Sequence, residues 1–129
     1  MYNYGSYLTS LMNHLEDSFD RTPFAVKVVS KFPDSFIPYP LTTPTLLVSC
    51  HRMDFETVGN QPTGVLTLEV KVYTPRDSGL LPHTEILDKT LEFINSLTGF
   101  SFSSLTVKEA KFDRSSSSIY TQILGCVNF

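Results

Sequence analysis

The densest group of reactive side chains runs from Cys50 to Glu56, where a thiol, an imidazole and two carboxylates follow one another. Cys50, His51, Asp54 and Glu56 are all residue types that bind metals. In a strand, however, successive side chains point to opposite faces, so we expect His51 to face away from the other three. No second His or Cys pair at ligand spacing supports a site. We therefore interpret this segment as a solvated strand end beside a loop.

A second candidate pair is formed by His83 and Glu85, near the start of a predicted helix. Acid–base catalysis would require a pocket and a shifted pKa, which a sequence does not reveal. We expect an exposed His83, with Glu85 offsetting the helix dipole. The chain has no GxGxxG, P-loop, GxSxG, HExxH or CxxC pattern. We predict that the protein is not an enzyme and has no catalytic residues, no metal and no cofactor.

Length and composition restrict the class of protein further. A chain of 129 residues with 41% hydrophobic residues corresponds to one domain, residues 1–129. The net charge of −3 and the scattered basic residues argue against a protein that wraps nucleic acid. We expect no membrane span and no secretory signal. Cys50 and Cys126 are too few for a disulfide scaffold, and we expect both to be buried thiols in a cytosolic setting.

The clearest structural pattern extends from Val65 to Leu97. It begins with period-two alternation, the mark of a strand with one dry face, formed here by Leu66, Leu68, Val70 and Val72. A turn follows, and a helix is predicted from about Pro82 to Leu97. Leu91 is expected at the centre of the apolar arc of this helix, and Glu85 is expected to pair with Lys89.

Similar patterns predict the remaining elements. The sequence indicates a helix over residues 1–19, strands over 24–32, 45–56, 105–113 and 119–129, an extended proline-rich arm over 33–44 and a loop over 57–64. Because the last strand is apolar on both faces, we expect it to be central or to lie in a subunit interface. The predicted fold class is α+β, a largely antiparallel sheet of about four to five strands with two helices packed on one face.

With these elements in place, the chain resembles a known family. The resemblance covers residues 45–129 well and the N-terminal third more loosely, and the proline-rich arm departs from the family pattern. Two segments carry it: GVLTLEVKVYTPRDSGLLPHTEILDKTLEFINSL from Gly64 and VKEAKFDRSSSSIYTQILGCVNF from Val107. Within them, the shared features are the V-x-V-Y-x-P strand end at 70–75, the strand ending at Asp113 and the final Y-x-x-I at 120–123. They look like the tail terminator, or tail completion, proteins of long-tailed phages and contractile particles.

The resemblance implies a structural function. Family members form homohexameric rings that cap the finished tail tube, stop its elongation and provide the surface that joins the head. The implied partners are further copies of the chain, the tail tube protein, the head connector protein and DNA that passes through the lumen without specific binding. No membrane partner is implied. The implied location is the virion tail, assembled in the bacterial host cytoplasm.

Two other interpretations stay open at this point. One is a head–tail connector or baseplate component, and the other is a small oligomeric ligand-binding or enzymatic α+β domain. For the ring, we predict interface residues in the arm, the loop and the last strand: Phe36, Tyr39, Asn60, Gln61, Tyr120 and Leu124. Apolar side chains in the arm and aromatic residues in general favour contact with a partner over exposure to water.

Overall fold

The computed structural model describes residues 4–31, 40–59 and 61–128. Their elements are α1 (Tyr4–Asp20), β1 (Lys27–Val29), β2 (Thr45–Val58), β3 (Gln61–Pro75), a 3-10 turn (Arg76–Ser78), α2 (Leu80–Asn95), β4 (Ser104–Val107), β5 (Lys111–Asp113) and β6 (Ser118–Asn128). The predicted α+β class is confirmed, with six strands in place of the expected four to five. Among the described residues, no helix has the length and apolar character needed to span a lipid bilayer.

The strands form one sheet in the order β1-β2-β3-β6-β4, and β5 also pairs with β6. Only the short β1–β2 pairing is parallel among the described strands; the other four pairings are antiparallel. Strand β6 has β3 on one side and β4 and β5 on the other. The apolar pattern on both of its faces is therefore that of a central strand, one of the two predicted settings.

Both helices cover the same face of the sheet. Helix α1 contributes Leu11, Leu15 and Phe19 to the core, and α2 contributes Ile86 and Ile94, each no more than 4% exposed. The predicted alternation in β3 is confirmed, because Leu66, Leu68, Val70 and Val72 are all buried under the helices. Burying each such side chain contributes about 1.5–3 kcal/mol, so this layer accounts for most of the packing that holds the helices on the sheet.

Helix α2 has a different phase from the predicted one. It begins at Leu80, and its buried residues are His83, Ile86, Thr90 and Ile94, whereas Leu91 is only half-buried. Thr90 occupies the centre because its hydroxyl donates to the Ile86 carbonyl at 2.7 Å, which satisfies a polar group inside the core. The prediction placed the centre of the buried face from the apolar residues alone, which do not include threonine, and so the predicted centre at Leu91 was wrong. Lys89 pairs with Glu92 at 3.3 Å, and not with Glu85.

The predicted loop over 57–64 is also wrong. Strands β2 and β3 remain paired as far as Val58 and Gln61, and only residues 59 and 60 connect them. Gly59 has a φ of 65°, the left-handed conformation that a two-residue hairpin turn requires. Because the strands are still paired at Val58 and Gln61, most of the residues predicted to form a loop continue the ladder.

Two further strands differ from the prediction. The first strand is limited to Lys27–Val29, and the strand expected over 105–113 divides into β4 and β5 because residues 108–110 lie outside the ladder. Most of the proline-rich arm lies outside the described residues. Its end is described: Leu41 is 5% exposed, and its amide donates to the Ser116 carbonyl at 2.9 Å.

Candidate functional site

The face of the sheet opposite the helices carries most of the polar and aromatic groups that the helices do not use; we call it the open face. Strand alternation places the odd-numbered residues of β3 there, together with their even-numbered partners on β6. Tyr120 and Leu124, two predicted interface residues, both lie on this face and are half-buried.

A buried carboxyl group lies at the centre of the open face. Glu69 is 7% exposed although neither of the described helices lies on this face. Its Oε2 accepts a hydrogen bond from Gln122 Nε2 at 2.7 Å and lies 3.0 Å from His51 Nδ1, while Lys71 Nζ lies 3.6 Å from its Oε1. These three neighbours satisfy a group that would otherwise be costly to remove from water. The cluster links β2, β3 and β6 across the sheet.

An aromatic pair continues the open face towards the end of β3. Tyr73 and Tyr120 stack with ring centroids 5.5 Å apart, and Leu41 and Leu47 pack against them. Burial, followed by the nearby Asp113, raises the pKa of Tyr73 to about 12. Tyr73 therefore stays neutral at physiological pH, and the pair acts as an apolar platform with hydroxyl groups.

The serine-rich tip between β5 and β6 is an ordered hydrogen-bonded turn. Asp113 Oδ1 accepts from the Ser115 amide and hydroxyl, and Oδ2 accepts from the Ser116 hydroxyl at 2.9 Å. These bonds, the Ser115 hydroxyl first, lower the pKa of Asp113. The carbonyl of Ser117 accepts from the Arg76 amide, so the tip also ties β6 to the 3-10 turn. The turn therefore holds in place the end of the open face that carries the Tyr73–Tyr120 pair.

A β-bulge in β2 changes the orientation of the candidate metal ligands. The ladder pairs Cys50 with Leu68 and Arg52 with Thr67, so that His51 is the extra residue. Alternation is inverted beyond it: Cys50 is on the helix side, whereas Asp54 pairs with Val65 on the open side. The expectation that His51 faces away from Asp54 was therefore wrong, because a bulge interrupts the period of two. Asp54 instead pairs with Arg52 Nε at 2.9 Å.

Past the bulge, the β2–β3 hairpin extends beyond the rest of the sheet. Strand β6 ends opposite Val65, so beyond this point the described ladder consists of β2 and β3 alone. At about 3.3 Å per residue, the four outer pairs extend roughly 13 Å. From here on, we call the described residues 54–59 and 61–64 the arm, which is distinct from the proline-rich arm predicted over residues 33–44. Phe55, at its base, is 56% exposed.

His83 is buried, in contrast to the predicted exposure. It is 1% exposed, with Nδ1 at 2.8 Å from the Thr74 hydroxyl and Nε2 at 2.7 Å from the Thr121 hydroxyl. A neutral imidazole has one donor and one acceptor, so it can bond both hydroxyls at once. Burial lowers the pKa of His83, which favours this neutral form. The residue joins the first turn of α2 to β3 and β6. Glu85 is exposed, as expected.

The two cysteines are less buried than predicted. Cys50 is exposed, with its Sγ 3.8 Å from the Arg52 carbonyl, and Cys126 is half-buried beside Thr67. Both thiols are free. Cys50 lies at the bulge, where the strand edge opens, and its exposure follows from that position.

The predicted interface residues divide into three groups. Tyr120 and Leu124 lie together on the open face. Gln61 begins β3 in the arm, far along the sheet from them, and its side chain is outside what the structure describes. Phe36, Tyr39 and Asn60 lie outside the described residues. These groups therefore do not form one patch as far as the structure describes them.

Sequence reasoning missed the Glu69 cluster and the anchoring of Leu41. Alternation placed Glu69 correctly on the wetter face, but that pattern predicts exposure. The available signal was Gln122, a long polar side chain near the centre of the final strand. An unexplained polar residue in a central strand indicates a buried partner.

Comparisons with known proteins give a fold but no family. No protein-family model matches the chain, and no curated protein matches it. Thirty chains of known structure match. One of them aligns over 100% of this chain and 98% of its own length, with a TM-score of 0.54 and 12% sequence identity. Its name is a sequence identifier that states no function. A likeness at this identity shows a shared fold alone.

Proposed function

We propose that this protein is a ring-forming tail terminator, which caps a tail tube, stops its elongation and provides the surface that joins the head. The observation that supports this most is the sheet, whose two open edges lie on opposite sides. Beyond Leu47, the outer edge of β2 has no partner strand among the described residues, and β4 and β5 form the other edge. Different surfaces on opposite sides of a subunit allow head-to-tail contacts, and such contacts close into a ring when the rotation between neighbouring subunits divides a full turn.

The open face offers surfaces for the remaining partners. Tyr120 and Leu124 present half-buried apolar groups beside the Tyr73 platform, and aromatic residues of this kind are enriched in interfaces. We assign them to contact with a neighbouring copy, or with the tail tube protein or the head connector protein. The corresponding location is the virion tail, reached by assembly in the bacterial host cytoplasm.

The charge of the helix layer is compatible with the passage of DNA. The exposed surface of α1 and α2 carries six acidic residues: Glu16, Asp17, Asp20, Glu85, Asp88 and Glu92. Proteins that bind the phosphate backbone do so through clustered Lys and Arg, which this layer lacks. A subunit of this charge would let DNA pass without holding it.

Electron microscopy of particles that lack this protein tests the proposal. A terminator predicts overlong tails without heads, and supplying the wild-type protein should restore normal length. Tails of normal length that fail to join heads would instead indicate a connector, and loss of tails would indicate a baseplate component. Normal, infectious particles would contradict all three structural assignments.

That last result would favour the ligand-binding or enzymatic alternative. The specific observation behind this alternative is Glu69, a buried carboxyl group with His51 within hydrogen-bond distance on the face opposite the helices. The alternative predicts a small molecule that protects the protein against thermal unfolding, and it predicts that Glu69→Gln abolishes this protection.

A further inference from the structure

We propose that the arm of one copy docks into a lysine-lined notch between β4 and β5 of a second copy. This inference rests on the proposed ring and names its subunit contact. The contact joins opposite edges of the sheet, since the arm extends β2 and β3 whereas β4 and β5 lie beyond β6.

The arm has the properties of a segment that is completed by a partner. Two-stranded hairpins are at best marginally stable in water, and a third strand or a packed face is needed to hold them. In the arm, the described ladder has two strands and no third one. Phe55 at the base of the arm is 56% exposed, and Met53 just before the arm is 38% exposed. Contact with a neighbour would cover this apolar surface, at roughly 25 cal/mol per Å².

The notch lies where the chain leaves the sheet between β4 and β5. Residues 108–110 are out of the ladder, and the gap has a volume of about 560 Å³. Its lining consists of Thr106, Val107, Lys108, Glu109, Lys111 and Gln122. Val107 and, beside the notch, Phe112 are 43% and 64% exposed, so this edge also has apolar surface to cover.

Charge complementarity identifies the occupant as the arm of a second copy. The arm contains Asp54 and Glu56 and no Lys or Arg, a formal charge of −2. The notch contains Lys108, Lys111 and Glu109, a formal charge of +1. Asp54 is paired with Arg52, but both side chains are more than half exposed, so this pair is weak and Asp54 can change partner. Complementary charges of this kind set the register and exclude wrong contacts.

Side-chain docking fits the arm better than the addition of a strand. Pro62 has no amide hydrogen, so the β3 edge of the arm is not a continuous row of donors. An acidic ribbon that enters a basic notch uses side chains for recognition. Because the arm and the notch lie at opposite edges of one subunit, each copy gives its arm to one neighbour and receives an arm from the other.

Charge reversal tests the contact. Asp54→Lys with Glu56→Lys gives an arm-reversed protein, and Lys108→Glu with Lys111→Glu gives a notch-reversed protein. Light scattering on a size-exclusion column should show the wild type at ring mass and each variant alone at the subunit mass of 14.5 kDa. Mixed in equal amounts, the two variants have complementary charges at every contact. The mixture should recover ring mass with alternating subunits and an even subunit number.

A matched control carries the same charge change elsewhere. Glu85→Lys with Asp88→Lys alters two exposed acidic residues on α2 and should leave ring mass unchanged. Circular dichroism should show all variants folded. The inference is overturned if either reversed variant alone keeps ring mass, if the mixture fails to reassemble, or if the wild type is monomeric at high concentration and low salt.

The proposed function can fail separately. If the reversed variants behave as expected while particles without the protein have normal tails, the arm contact stands and the terminator assignment does not. If tails depend on the protein but charge reversal leaves the ring intact, the arm contact is wrong and the terminator assignment stands.

Discussion

The ring of Phe102 lies directly against the backbone of Gly125. A Cβ atom added at Gly125 would be 2.6 Å from Phe102 Cδ1 and 2.7 Å from Cε1, closer than real contacts allow. Phe102 stacks edge-to-face on Phe100, which contacts Tyr7 of α1 in the same way. The glycine therefore creates the space through which the segment after α2 packs onto the central strand.

Gly125→Ala should lower the free energy of unfolding by about 1–3 kcal/mol, because the aromatic ring must move away from its packed position. Chemical denaturation measures the loss. In a double-mutant cycle, Phe102→Ala removes the clash, so Gly125→Ala in that background should cost much less. Equal costs in both backgrounds would show that the ring is not the cause.

The observed phase of α2 makes Ile94 the stronger test residue, not Leu91. Ile94 is 4% exposed, so Ile94→Ala should cost about 2–5 kcal/mol. Leu91→Ala should cost less, because Leu91 is half-buried, and Glu92→Ala should change stability by less than about 0.5 kcal/mol. The three unfolding free energies should fall in that order. A larger loss for Leu91 than for Ile94 would contradict the observed helix phase.

His83 should make the fold sensitive to mild acid. Burial lowers its pKa in the folded state below the usual 6.5, so the folded state binds fewer protons there than the unfolded state. The contribution of His83 to the free energy of unfolding is therefore complete above pH 6.5 and declines as the pH falls below that value. His83→Gln should remove this part of the pH dependence. The same change at His14, which lies between the helices, should leave the decline in place.

Asp113 should contribute to the pH dependence of stability in a more acidic range than His83. Its pKa is lowered below 3.8 by the hydrogen bonds of the serine tip, so its contribution is present above 3.8 and is lost as the pH falls through the folded-state pKa. Asp113→Ala should destabilise the protein at neutral pH and flatten the acid limb of the stability curve. Asp77→Ala, at an exposed position in the 3-10 turn, should do neither. Thermal melting between pH 2 and 7 gives both measurements.

Elements with a strict period could be predicted from the sequence. The alternation in β3 identified the core face correctly at Leu66, Leu68, Val70 and Val72. The α+β class followed from the change of period after Pro75. In these segments, local geometry and burial favour the same residues, so one pattern determines both.

The residues whose burial was not predicted depend on contacts between distant parts of the chain. His83 is buried because Thr74 and Thr121 provide partners from two other elements. Glu69 is buried because His51 and Gln122 converge on it from the neighbouring strands. Neither partnership has a local pattern, so a single window of sequence predicts exposure for both residues.

The extra residue at His51 decides which face each side chain of the projecting hairpin occupies. Because the bulge takes one residue out of the ladder, Met53 pairs with Leu66 on the helix side and Asp54 pairs with Val65 on the open side. If the same residues paired without a bulge, Met53 would oppose Val65 and Asp54 would oppose Gly64, so both side chains would change faces. Deleting His51 would instead straighten the strand and leave both side chains where they are. The surplus residue therefore decides which chemistry the projecting ribbon presents on each of its two sides.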